Sequence, residues 1–261
     1  MKTFENLIYS ASMEPFRRLL RKRWNNAAQT KKTKPFIYVF CEGESEVAYA
    51  NFLQHEFQNS FVIKTRKMTS TRLFEETKLL FQKNAIYRNS VDSVDEIWFF
   101  FDVEDYNLLT QSKQDENVLR WNQRIKIIRE LRKLRKRPGV TVRLLMTSGC
   151  IEYWFLLHFE SSAPSCITSP DKDNIVSNLK KYIPSYEKAH VPSIEQIAKN
   201  YSTEESNSRK VLDNLSHSQG LLKLSSASTL RDEDERNQWL CTHCKTFSTV
   251  HEAISFLREQ A

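Results

Sequence analysis

Three short acidic segments carry the residue types that chemistry on phosphate esters requires: Glu42-Gly43-Glu44-Ser45-Glu46, Asp102-Val103-Glu104-Asp105, and Glu152. Carboxylate oxygens are hard ligands, and a set of them selects Mg²⁺, Mn²⁺ or Ca²⁺ over zinc. Crowded together, they repel. Two unit charges ~4 Å apart cost roughly 4 kcal/mol at an effective dielectric near 20, so four or more ionised at neutral pH want a counter-cation. Mg²⁺ takes one or two carboxylates plus substrate phosphate oxygens, and a pair of such ions about 3.5–4 Å apart would serve the attacking and leaving oxygens of a phosphodiester. Singly, each acid has a plainer explanation. Glu44 and Glu46 would favour a helix N-terminus through the macrodipole, and Asp105 could cap a turn. The combination is more specific: an apolar run ending in Glu-Gly, then an apolar run ending in Asp-x-Glu-Asp.

The elements that must position these acids are legible as apolar runs too short for helices. Phe36-Ile37-Tyr38-Val39-Phe40-Cys41 lies between Pro35 and Gly43, Phe61-Val62-Ile63 follows, and Ile97-Trp98-Phe99-Phe100-Phe101 stops at Asp102. The segment 140–146 gives a fourth run, with Glu152 a short turn beyond it. Runs without alternation are the pattern of strands buried on both faces. Between them apolar residues recur at helical period: Val47, Ala50, Leu53 and Phe57; Phe74, Thr77 and Phe81; Trp121, Ile125, Ile128, Leu131 and Leu134. Strands alternating with helices predict a Rossmann-like α/β fold with a mainly parallel sheet, flanked by helices. In such sheets ligands bind beyond the carboxyl ends of the strands, the edge where all three acidic segments fall.

Residues 1–34 read as a basic helical arm, 35–160 as the α/β domain, and 161–261 as a helical C-terminal appendage with no strand pattern. Helical stretches are expected there near 174–182, 194–198, 209–215 and 250–257. Lys and Arg outnumber Asp and Glu by 39 to 32, so the distribution of charge matters more than its sum. Basic residues gather at 17–34 and again from Arg124 to Arg137. The second run is either a solvated helix face or a surface that tracks phosphates, with Arg129, Arg132, Lys133 and Lys136 the candidates for nucleic-acid contact. Five cysteines lack the dense, even spacing of a disulfide framework, no apolar run approaches the ~20 residues of a membrane span, and the start shows no apolar signal segment. A cytoplasmic location without membrane attachment is expected.

Residues 37–44, with Glu46 and Tyr49 behind them, residues 98–105, and residues 148–159 resemble the Toprim fold of topoisomerases, primases and OLD-type nucleases. More narrowly they resemble the RloB-like family of bacterial restriction and abortive-infection loci. The resemblance covers about residues 35–160. It implies a Toprim-type catalytic domain in which Glu42 binds metal and moves protons, while the Asp-x-Asp pair falls on Asp102 and Glu104. Glu at position 104 keeps the charge on a longer arm, and Ser148-Gly149 stands where the family usually shows Asn-Pro. With Glu46, Asp105 and Glu152, these residues make the expected metal set, and Glu42, Asp102 and Glu104 the expected catalytic one. The implied activity is a Mg²⁺- or Mn²⁺-dependent endonuclease acting on DNA or RNA, tRNA included, in anti-phage defence, beside a partner ATPase and with homo-oligomerisation left open. The alternative is a non-catalytic Toprim-like module that holds nucleic acid or a partner. A nucleotidyl transferase, as in primases, would need further domains that are not legible.

Other signals are set aside. Cys241-Thr242-His243-Cys244 has no second Cys pair to complete a structural zinc site. His158, on an apolar stretch, is expected in the core, and no Walker A loop suggests ATP binding by this chain.

Overall fold

In the computed structural model, residues 34–69, 72–103, 111–136, 138–161, 163–166, 168–199, 201–219, 230–243 and 246–261 are described. Phe36–Cys41 forms β1, and every residue after Phe36 is buried, as an uninterrupted apolar run demands. Glu44–Glu56 forms α1, Val62–Lys67 β2, Leu73–Lys83 α2, Ala85–Ser90 α3 and Glu96–Val103 β3. Gln111–Leu131 forms α4, Thr141–Ser148 β4 and Ile151–Leu156 α5. β2 is longer than the apolar run Phe61–Ile63 indicated. It is an edge strand, and Lys64, Arg66 and Lys67 extend it where one side faces solvent.

The sheet is parallel throughout, in the order β2-β1-β3-β4. β1 pairs with β2 on one side and with β3 on the other, so the chain changes its direction of travel across the sheet after β2. The connections that leave the carboxyl ends of β1 and β3 therefore run in opposite directions, to β2 and to β4, which opens a crevice between β1 and β3.

Alternation along the strands divides the core. Ile37, Val39, Trp98 and Phe100 face one side with α1 and α5, while Tyr38, Phe40, Phe99 and Phe101 face the other with α2 and α4. The region beyond residue 160 is helical and built into both layers. Ser169–Tyr182 (α6), Val191–Ala198 (α7) and His251–Gln260 (α10) add Ile175, Leu179, Ile194, Ile197, Ile254 and Leu257 to the first core. Tyr201–Gln219 (α8) and Leu230–His243 (α9) add Leu212 and Leu240 to the second. Pro35–Ala261 makes one compact unit.

The stretch 247–249 also covers the free edge of β4. Ser148 N–H donates to Phe247 O at 2.9 Å, Thr249 N–H to Met146 O at 2.9 Å, and Thr147 and Ser248 form an antiparallel bridge. An uncovered edge would present unpaired backbone groups to other chains, so this short segment completes the sheet. Among the described residues no helix is long and apolar enough to cross a membrane.

Candidate metal centre

Glu42 follows β1 directly, and its N–H still donates to Phe100 O at 3.0 Å, which holds it against β3. Gly43 is the N-cap of α1 in extended conformation, with Glu44 and Glu46 in the first turn. The two diverge. Glu44 pairs with Lys67 of β2 in solvent, whereas Glu46 is buried with only 4% exposure. A β-carbon at position 43 would collide with the Glu46 carboxylate, so the glycine makes room for that group to fold back over the start of its own helix.

Asp102 is the penultimate residue of β3, in register with Thr147 of β4. It shares the even-numbered face of β3 with Trp98 and Phe100, the face that carries α1 and α5. The residue as a whole is half-buried, yet its Oδ1 is sealed from solvent without a hydrogen-bond partner. Glu152, 1% exposed, enters from the first turn of α5 and accepts a hydrogen bond from the Tyr186 hydroxyl at 3.0 Å. Lys188 Nζ lies 3.8 Å from its Oε1.

Electrostatics show that these four carboxylates share one environment. Burial raises Glu46 from 4.5 to about 7; its own backbone N–H opposes that rise, Glu152 and Glu42 add to it, and Lys188 lowers it. Asp102 is pushed well above the ordinary carboxylate range by burial first, then by Glu46, Glu42 and Glu152, with Lys172 opposing. A buried carboxyl among like charges strongly favours any arrangement that supplies a cation.

The donor set is all oxygen, and the orphaned Asp102 Oδ1 is an acceptor without a donor. Both fit a hard divalent ion. The fit is one of chemistry and location: among the described residues no three His, Cys, Asp or Glu side chains are grouped closely enough to hold one ion. Glu104 and Asp105, expected in the same set, lie outside the described residues.

The expected nucleic-acid contacts are elsewhere. α4 leaves the carboxyl end of β3 and returns to the start of β4, so its last turn reaches the amino edge of the sheet. Val140 N–H donates to Arg132 O at 3.3 Å there. A strand of eight residues spans roughly 25 Å, and that length separates Arg129, Arg132, Lys133 and Lys136 from the carboxylates. Arg132 is moreover bound to Asp234 at 2.9 Å and Arg129 approaches the same acid at 3.6 Å, while Lys133 and Lys136 are exposed.

Arg124 of this helix lies nearer the carboxyl ends of the strands and couples electrostatically to Glu42. Its guanidinium stacks over Phe74 and Phe101 at 5.1 and 5.0 Å from the ring centres. Burial lowers its pKa, and Glu42 is among the groups that counter this. Lys172, Tyr186 and Lys188 were invisible to sequence reasoning, because they come from the polar C-terminal region and no local pattern ties them to the acids. His158 is a buried core residue whose Nδ1 lies 3.1 Å from Trp154 O, and burial pushes it down to about 3. Cys241 is buried with its thiol on Met146, and Cys244 lies outside the described residues.

A family model described as RloB-like protein matches residues 37–257. No curated protein gives a significant match. No solved structure does so either.

Proposed function

This chain belongs to the RloB-like family, and we propose that it is a Mg²⁺- or Mn²⁺-dependent nuclease that hydrolyses nucleic-acid phosphodiesters. The observation that carries the reading is Asp102: a sealed, unpartnered carboxylate oxygen beside Glu42, Glu46 and Glu152, at the crevice where a parallel sheet takes its ligands.

In this reading Asp102 would hold the cation together with Glu46 or Glu152, and Glu104 and Asp105, from the segment after β3, would be the further ligands. The chemistry such an ion supplies is Lewis-acid neutralisation of charge on the phosphoryl oxygens. Glu42 would accept a proton from the attacking water as the water oxygen bonds to phosphorus; the bond from phosphorus to the leaving sugar oxygen breaks, and that oxygen takes up a proton from solvent water. Arg124 is electrostatically coupled to Glu42, and its positive charge would favour the ionised carboxylate that a general base requires. Tyr186 fixes the rotamer of Glu152. The anti-phage setting and a partner ATPase that restrains or triggers cutting belong to the same proposal.

The separation of the acids favours a second reading, a Toprim-like module that binds nucleic acid or a partner without cutting. One experiment decides between them. Purified protein, with and without the ATPase encoded beside it, is incubated with labelled plasmid, single-stranded DNA and bulk tRNA in Mg²⁺ or Mn²⁺. Cleavage that falls at least about a hundredfold in Glu42→Ala and in Asp102→Ala, with binding retained, establishes the nuclease. Binding without cleavage under every condition establishes the module.

A further inference from the structure

The turn between α6 and α7 carries the one non-glycine residue with positive φ among the described residues, Ala189 at φ 60°. A β-carbon makes this conformation cost about 1 kcal/mol or more. The turn is held from several sides. Ala189 N–H donates to Ser45 Oγ in the first turn of α1 at 3.0 Å, and His190 Nδ1 meets Ser193 Oγ at 2.7 Å. Tyr186 is buried against Phe155, with ring centres 6.2 Å apart, and its hydroxyl reaches Glu152.

This bracing fixes Lys188 at the mouth of the acid cluster, one end of its reach on Glu152 at 3.8 Å and its side chain 67% exposed. The pair is one-sided: the Glu152 carboxylate is buried, whereas the Lys188 ammonium stands largely in solvent and has three donors to offer. The position matters more for what comes from solvent. A polyanion approaching four carboxylates is repelled, and a solvent-exposed ammonium beside them offsets that repulsion where the phosphate must enter.

We propose that Lys188, delivered by the strained turn at Ala189, binds the nucleic-acid phosphate that enters the carboxylate cluster. The inference rests on the nuclease reading for its substrate class, and its test separates the two. Binding of a fluorescent single-stranded oligonucleotide is measured by anisotropy in EDTA over a range of salt, for the parent protein, Lys188→Ala and Lys188→Arg. Cleavage in Mg²⁺ is measured alongside, with Asp102→Ala as the control for the nuclease. Lys188→Ala is expected to weaken binding about tenfold at low salt and to flatten the slope of log Kd against log salt by about 0.7, the share of one phosphate contact on a single strand. Lys188→Arg is expected to restore most of both. If the parent binds but Lys188→Ala binds with the same affinity and slope, or if the parent binds no oligonucleotide, the inference is overturned. If the parent never cleaves while Lys188→Ala loses binding as described, the nuclease reading falls and the phosphate contact stands.

Discussion

The carboxylate of Glu46 lies over the α-carbon of Gly43, in the space that a β-carbon at position 43 would occupy. Gly43 has φ −120° and ψ 173°, a conformation open to alanine, so the backbone itself does not require glycine here. The collision is with the far end of a side chain, which can move. Gly43→Ala should therefore cost less than about 1 kcal/mol in a thermal melt yet displace Glu46 and weaken divalent-ion binding about tenfold in calorimetry. Unchanged ion affinity would remove Glu46 from the metal set.

The raised pKa of Glu46 makes a stability prediction with a definite sign. Between its ordinary value of 4.5 and about 7, the folded protein holds a proton that the unfolded chain has released. The stabilisation this proton confers is complete below about pH 4.5 and lost as pH rises through about 7. Glu46→Gln, measured by denaturant unfolding in EDTA, should match the parent at pH 4 and exceed it at pH 8 by at most about 3 kcal/mol. A difference independent of pH would contradict the assignment.

Gly149 is a different case, because here the backbone does need glycine. Its φ is 77°, and an added β-carbon would run into the carbonyl oxygen and thiol of Cys166. Gly149→Ala combines a left-handed conformation with overlap against backbone, and should destabilise the fold by about 3 kcal/mol. Equilibrium unfolding checks it; a loss under about 1 kcal/mol would mean that the turn before Glu152 is far looser than its geometry indicates.

The far placement of the basic run predicts a separation of binding from turnover. Lys133→Glu combined with Lys136→Glu should leave turnover of a short oligonucleotide within about twofold of the parent, since both lie at the amino edge of the sheet. Any weakening should appear only on long substrates and shrink with added salt. A large fall in turnover on short substrates would place these lysines at the reacting phosphate instead.

The α/β core was readable because its strands are buried on both faces. Phe36–Cys41 and Ile97–Phe101 have no polar interruptions, and the acids that follow each are therefore conspicuous. β2 was read short because an edge strand need not be apolar beyond Ile63. α9 escaped notice since charged residues fill most of its surface and only a few positions, Leu240 and Cys241 among them, enter the core. That Glu42, Asp102 and Glu152 follow the carboxyl ends of β1, β3 and β4 was legible from the order of strands and helices. Tyr186, Lys188 and Ser45 could not be joined to them, because the contacts Tyr186–Glu152 and Ala189–Ser45 join residues 34 and 144 positions apart and leave no trace in local pattern. The end of the basic helix lies apart from the acids for a geometric reason: proximity in sequence to Asp102 becomes distance once α4 runs the length of the sheet.

Calorimetric titration of Mn²⁺ into the parent protein and into Asp102→Asn, at pH 7.5 and with no nucleic acid present, tests the metal centre most directly. Saturable binding is expected in the parent, with protons released as Glu46 ionises, and at least a tenfold loss in the variant. Equal binding in both proteins, or none in the parent, would contradict a metal centre at the end of β3.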